Sequence, residues 1–173
     1  ILLNVGRLTA DKQQDLLIRV WSRIVDKNGW KLCIVGEGEE KENLECLITT
    51  LCVQDTVSLL PARKNIKEIY ETASSFILTS RCEGFGMVLL EAMAFGIPCV
   101  SFDCPSGPRD IIVNNHNGIL VNFNDDKELE AAIKTIITMP QDKLQQMGSN
   151  AYKTVADWDN AGIIEQWSNN IFI

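Results

Sequence analysis

At 173 residues, 46% hydrophobic and 23% charged, the chain has the size and composition of one globular domain with a substantial core. Its formal net charge of −7 excludes the broad basic surface of a general nucleic-acid binder, although a few local Arg or Lys residues suffice for a small phosphorylated ligand. No run approaches the ~20 apolar residues of a membrane span, no signal peptide is visible in these residues, and the six cysteines form no Cys-x-x-Cys pair, so buried free thiols in a cytoplasmic protein are expected.

In chain order, Ile1 to Val5 reads as a buried strand, followed by a loop from Gly6 to Lys12. Leu16, Leu17, Val20, Trp21, Ile24 and Val25 then recur at helical spacing, with Asn28-Gly29 as the expected stop. Leu32 to Val35 is a second strand, and a helix from about Glu39 to Leu51 carries Leu44, Leu47, Ile48 and Leu51 as its inner stripe. Thr56 to Leu60 is a third strand. Asn65 has the character of an N-cap for a short helix, Ile66 to Ala73. Phe76 to Thr79 is the fourth strand, and Met87 to Phe95 an apolar helix ended by Gly96 and Pro98. Cys99 to Phe102 and Gly118 to Val121 are two more strands, with a helical turn from Pro108 between them. Asp125-Asp126 caps a helix to about Thr138, and helices from about Gln141 and about Asn160 close the chain. Continuous apolar strands alternating with helices predict an α/β fold, a Rossmann-like, doubly wound parallel sheet in three layers. Ligands of such sheets bind beyond the carboxyl ends of the strands, which directs attention to the loops after the first, third and fourth strands.

The stretch from Ser80 to Pro98 has the form of a strand, a glycine loop and a helix start, an arrangement suited to phosphate. Glu83 precedes the loop. Glu91 is the only charged residue of the following helix, and a lone carboxylate there is costly unless something polar meets it. It follows Met87 by four residues, so it shares that helix face and leans toward the N-terminus. Amides around Gly86, Met87 and Val88 can donate to phosphate oxygens, Glu91 can accept from two ribose hydroxyls, and Glu83 suits hydroxyls at the opposite end. Arg7 and Lys12, on the same edge, form a diphosphate-binding pair or are ordinary surface charges. Together these residues suggest a nucleoside diphosphate carrying a sugar.

Glu83, seven residues, then Glu91 resembles the E-x7-E motif of the retaining glycosyltransferase family 4 (group 1). Val5-Gly-Arg-Leu with Lys12, Ile34-Val-Gly-Glu-Gly38, the whole Ser80–Pro98 stretch, Gly107-Pro-Arg-Asp-Ile-Ile and Asn117-Gly-Ile-Leu-Val121 extend the resemblance in order over roughly residues 1 to 140. It implies the C-terminal, donor-binding domain of a GT-B fold, spanning 1–173. The N-terminal acceptor domain would be absent from this chain, which opens inside a strand and without Met. By the same resemblance Arg7, Lys12 and Glu83 are catalytic. Gly6, Phe85, Gly86, Met87, Val88, Glu91 and Leu60 bind the donor, the base resting near Leu60 to Arg63.

The implied reaction is retaining transfer of a hexose from a nucleotide-sugar donor, a UDP-sugar being favoured, to an acceptor hydroxyl in glycan or polysaccharide synthesis. No cofactor or metal is expected, and the fragment alone should be inactive. A glycan or lipid-linked acceptor is the expected partner, nucleic acid is not, and the full-length protein could associate peripherally with the inner membrane face. The alternatives are an epimerase or phosphorylase on the same scaffold, or a non-catalytic nucleotide-binding module. Gly36-Glu-Gly38 lacks the third glycine of a dinucleotide fingerprint. Asp157-Trp-Asp159 fits the D-x-D pattern of metal-dependent glycosyltransferases, but N-capping at a helix start explains it better. Trp158 and Trp167, on the terminal helices, are placed to pack on the sheet or on the missing domain.

Overall fold

Six short, mainly apolar runs flanked by turn residues become six strands, the inner ones buried on both faces and the edge ones less so. They are β1 (Leu2–Val5), β2 (Leu32–Val35), β3 (Val57–Leu60), β4 (Ser75–Leu78), β5 (Cys99–Phe102) and β6 (Gly118–Val121). The helices are α1 (Gln14–Arg23), α2 (Lys41–Thr50), α3 (Lys67–Tyr70), α4 (Met87–Ala94), α5 (Pro108–Ile111), α6 (Asp126–Thr138) and α7 (Gln141–Trp158). The structure is a computed structural model that describes residues 1–63 and 65–158. The helix expected from about Asn160, with Asp159 and Trp167, lies outside the described residues.

All pairings are parallel, in the order β3-β2-β1-β4-β5-β6. Side chains alternate between two cores, as a pleated strand requires. Leu2, Leu32, Ile34, Ile77, Val100 and Phe102 join Trp21, Leu44 and Ile133 from α1, α2 and α6 on one face. Leu3, Val35, Phe76, Leu78 and Cys99 join Tyr70, Leu89, Met93, Ile111 and Ala151 from α3, α4, α5 and α7 on the other. The doubly wound three-layer fold is therefore the one expected. Among the described residues no helix is long and apolar enough to cross a membrane.

Several local expectations need correction. α1 stops at Arg23, four residues before the Lys27 end expected from the apolar spacing, because Ile24 turns extended (φ −75°, ψ 109°). Ile24 still buries itself, but Val25 is 97% exposed, so it does not belong to the inner stripe. Asn65 does not cap α3: Ile66 takes that position, and Asn65 donates to Glu68 Oε1 at 2.8 Å. Asp157 falls in the last turn of α7, not at a helix start. All six cysteines are free as expected, yet Cys46, Cys52 and Cys82 are exposed.

The cap of α6 was read correctly. Asp125 Oδ1 accepts from the backbone amides of Lys127 (3.1 Å) and Glu128 (2.9 Å). Asp125→Ala should cost about 1 kcal/mol, seen as a lower denaturation midpoint with an unchanged slope.

Candidate functional site

β1 and β4 are the neighbours at which the strand order reverses, and their register pairs only Leu2 with Ser75 and Leu3 with Phe76. Beyond those residues the strands part. Asn4 spans the gap, its side-chain amide donating to the Ile77 carbonyl at 2.8 Å. The crevice so opened lies at the carboxyl ends of the strands, where doubly wound sheets take their ligands.

The loop after β1 is fixed at several points. Gln14 Nε2 donates to the Arg7 carbonyl at 3.0 Å, and the Thr79 hydroxyl, just past β4, donates to the Lys12 carbonyl at 2.9 Å. Arg81 N reaches the Asp11 carbonyl at 2.7 Å. Lys12 ends a short 3-10 turn, Ala10–Lys12, and its ammonium donates to Glu83 Oε1 at 2.8 Å. Both side chains are largely covered, with 18% and 12% exposed. Lys12 and Glu83, expected at the diphosphate and at the sugar of a ligand, thus meet directly. Glu83 N also donates to the Pro105 carbonyl at 3.4 Å, bringing the loop after β5 alongside. Cys104 is buried there, and burial, with the Glu83 carboxylate adding, pushes its thiol up to about 11.

A cleft of about 330 Å³ opens on the other side of the same loop, lined by residues that include Gly6, Arg7, Gly36, Glu37, Arg63 and Glu91. The loops after β1 and β2 approach so closely that a Cβ on Gly36 would fall 1.9 Å from the Gly6 carbonyl oxygen. Only glycine fits that contact. Glu91 enters from α4, and Tyr70 Oη at the end of α3 donates to its Oε2 at 2.9 Å. Burial raises the Glu91 carboxyl above its ordinary value, with the Tyr70 hydrogen bond opposing that shift. Burial and then the Glu91 charge push the Tyr70 phenol far up, so it stays protonated and donates.

The expected residues therefore divide. Gly6, Arg7 and Glu91 line the cleft, whereas Lys12, Glu83, Phe85, Gly86, Met87 and Val88 are not among its lining residues. Gly86 caps α4 without a side-chain hydrogen bond, so no capping side chain covers the first-turn amides of Met87 and Val88. Leu60 is not among the lining residues either: it packs against the core, and its carbonyl accepts from Gly36 N at 3.0 Å. Ala62 and Arg63 from the same loop do line the cleft. Arg109 grips Asp103 through two hydrogen bonds of 2.9 and 2.8 Å. Sequence reasoning missed Tyr70 and gave Glu37 no role, whereas Arg63 lies in the Leu60 to Arg63 stretch expected near the base. The one available signal for Tyr70 was the need of Glu91 for a polar partner.

What this edge can do is bind an anion flanked by hydroxyls. Two cations, Arg7 and Lys12, share a loop with an uncovered helix N-terminus nearby, and a carboxylate stands at either end. Residues 1–154 match the family model described as "Glycosyl transferases group 1". The chain belongs to the group 1 glycosyl transferases. A Haemophilus influenzae relative named "Uncharacterized glycosyltransferase" is 36% identical, aligned over 96% of this chain and 47% of its own length. The "Amylovoran biosynthesis glycosyltransferase AmsD" of Erwinia amylovora is 34% identical over 96% of this chain and 46% of its own. Among solved structures, a mutant of S. aureus TarM in complex with Fondaparinux, alpha-GlcNAc-glycerol and UDP superposes with a TM-score of 0.88 at 28% identity, covering 99% of this chain and 35% of that one. This group 1 glycosyl transferase chain spans about half the length of the curated relatives it matches. Its sheet is the Rossmann-like layer of a GT-B glycosyltransferase.

Proposed function

We propose that residues 1–173 form the donor-binding domain of a retaining hexosyltransferase that uses a UDP-sugar. The observation that carries this reading is the spacing of groups along one edge. Glu91 stands in the cleft, Arg7 borders the cleft on the loop that leads to Lys12, and the Lys12–Glu83 pair lies beyond it. A ribose at Glu91 would place the diphosphate against Arg7, Lys12 and the first turn of α4, and the sugar against Glu83. The base would lie toward Ala62 and Arg63. UDP in the S. aureus TarM structure supports a uridine donor.

In the reaction, the bond between the anomeric carbon and the diphosphate breaks, a bond to the acceptor oxygen forms on the same face of the sugar, and the acceptor's hydroxyl proton passes to an oxygen of the departing diphosphate. Negative charge grows on the departing diphosphate. Arg7, Lys12 and the α4 N-terminus stabilise it in place, which is electrostatic catalysis without a call on metal. The acceptor hydroxyl, on a glycan or lipid-linked chain, would be presented by an N-terminal domain of the full-length protein, working at the cytoplasmic face of a membrane. The amylovoran relative supports a role in polysaccharide synthesis.

Donor binding is tested on the full-length protein by thermal shift against UDP, GDP and ADP, with UDP expected to stabilise most. Glu91→Gln should weaken UDP binding about 10- to 100-fold even with no sugar attached. An effect confined to sugar-bearing donors would overturn the ribose assignment.

A further inference from the structure

Tyr70 is 1% exposed, and its ring is held on two sides. Phe95 stacks on it at 5.3 Å between centroids and 14° between planes, and Phe76 meets it at 6.2 Å and 37°. Those contacts require a ring and nothing more, so phenylalanine would serve the packing. The hydroxyl needs a separate reason, because a buried O–H is costly unless it is partnered. Its partner is Glu91 Oε2 at 2.9 Å, and Glu91 is one of the residues that line the cleft.

We propose that Tyr70 is a positioning residue for nucleotide binding: from beneath α4 it holds one oxygen of Glu91 and leaves the other to accept ribose hydroxyls in the cleft. The proposal rests on the ribose reading of Glu91. The tether does two things. It fixes the carboxylate rotamer before ligand arrives, so that ordering is not charged against affinity. It also favours the ionised form, the form able to accept hydroxyl hydrogen bonds, in surroundings whose burial favours the protonated one.

Other groups around the carboxylate act differently. Cys99, from β5, lies near Tyr70 and is held protonated by burial. Arg7, Glu37 and Arg63 line the cleft with Glu91 but are exposed to solvent, and Tyr70 is the side chain that donates to it. On the helices packed against α4, Arg109 is paired with Asp103, and Asp110, Tyr152 and Lys153 are exposed. Tyr70, opposing the effect of burial on Glu91, thus extends binding toward lower pH. As pH falls, Glu91 takes up a proton and stops accepting hydroxyls. Without the Tyr70 hydroxyl that protonation begins at higher pH.

The test titrates UDP into the full-length protein from about pH 5 to about pH 8, with wild type, Tyr70→Phe, Glu91→Gln and the double variant. Tyr70→Phe keeps both ring contacts, and its melting temperature reports folding. The phosphate's own titration is common to every variant and cancels in ratios. Tyr70→Phe should bind UDP about tenfold more weakly at the acid end, with the deficit shrinking as pH rises, and the double variant should be no weaker than Glu91→Gln. Wild type should also lose its preference for UDP over 2′,3′-dideoxy-UDP as pH falls, a readout that needs no variant. No deficit in Tyr70→Phe at any pH, or one that adds in full to the deficit of Glu91→Gln in the double variant, would overturn the positioning role and leave the ribose reading standing. Wild-type UDP affinity in Glu91→Gln would overturn the ribose reading itself, and the proposal with it.

Discussion

Lys12→Ala in the full-length protein should lower kcat about 10²- to 10³-fold, with a smaller effect on UDP affinity. The asymmetry follows from when the charge matters. A bound nucleotide sugar already carries its diphosphate charge, but the bridging oxygen gains more as the glycosidic bond breaks, and that increment is what Lys12 is placed to stabilise. Its position is fixed by the Thr79 hydroxyl on its own carbonyl and by Glu83 on its ammonium. Removing the ammonium also strands a carboxylate that is 12% exposed, so Glu83 loses the contact that holds it in the orientation the proposed sugar contact requires. Lys12→Arg keeps the charge but not the point-like geometry and should recover only part of the rate. Steady-state kinetics with one donor and acceptor checks this. Near-normal turnover in Lys12→Ala would remove Lys12 from the chemistry.

Gly107→Ala should destabilise the fold by about 3 kcal/mol and abolish measurable donor affinity. Gly107 has φ 104°, and a Cβ there would lie 1.8 Å from the Phe85 carbonyl oxygen and 2.4 Å from its carbon. Those neighbours are backbone, so relief requires moving the loop that carries Glu83 and the cap of α4. Gly84, two residues after Cys82 in the same signature, is the contrast. A Cβ there meets nothing within 4 Å, and Gly84→Ala should change stability by no more than about 0.5 kcal/mol. Chemical denaturation of both variants, with UDP titration of the folded ones, separates the cases. Equal stability for the two alanine variants would contradict the packing described.

The strands were legible because a parallel sheet buried on both faces leaves a plain mark: four apolar residues between turn formers. β2, β5 and β6 match the apolar runs residue for residue. Helix ends were less legible, because apolar spacing reports burial and not hydrogen bonding. Ile24 is 1% exposed yet stands outside α1, so the stripe outlives the helix. In the site, strand order put Arg7, Lys12, Glu83 and Glu91 on one edge, and that much could be read from the chain. Pairings could not. Lys12 meets Glu83 across 71 positions of sequence, and Tyr70 meets Glu91 across 21, contacts that no local pattern encodes. Nor did Leu60 betray that its side chain turns to the core while Ala62 and Arg63 face the cleft.

The parting of β1 and β4 has a consequence for the order of events in folding. Each contact that shapes the crevice joins segments far apart in the chain: Asn4 to Ile77, Lys12 to Glu83, Lys12 to Thr79. β1 and β2 can pair with only one helix between them, but none of these bonds forms until β4 has docked against β1 and closed a loop of some seventy residues. Such long closures are slow and come late. The edge that gathers the ligand is thus completed in the same step as the sheet. On the proposed donor-binding reading, a partly folded chain with β1 through β3 formed and β4 still free would have no competence to hold a nucleotide, and nucleotide would stabilise only the finished domain.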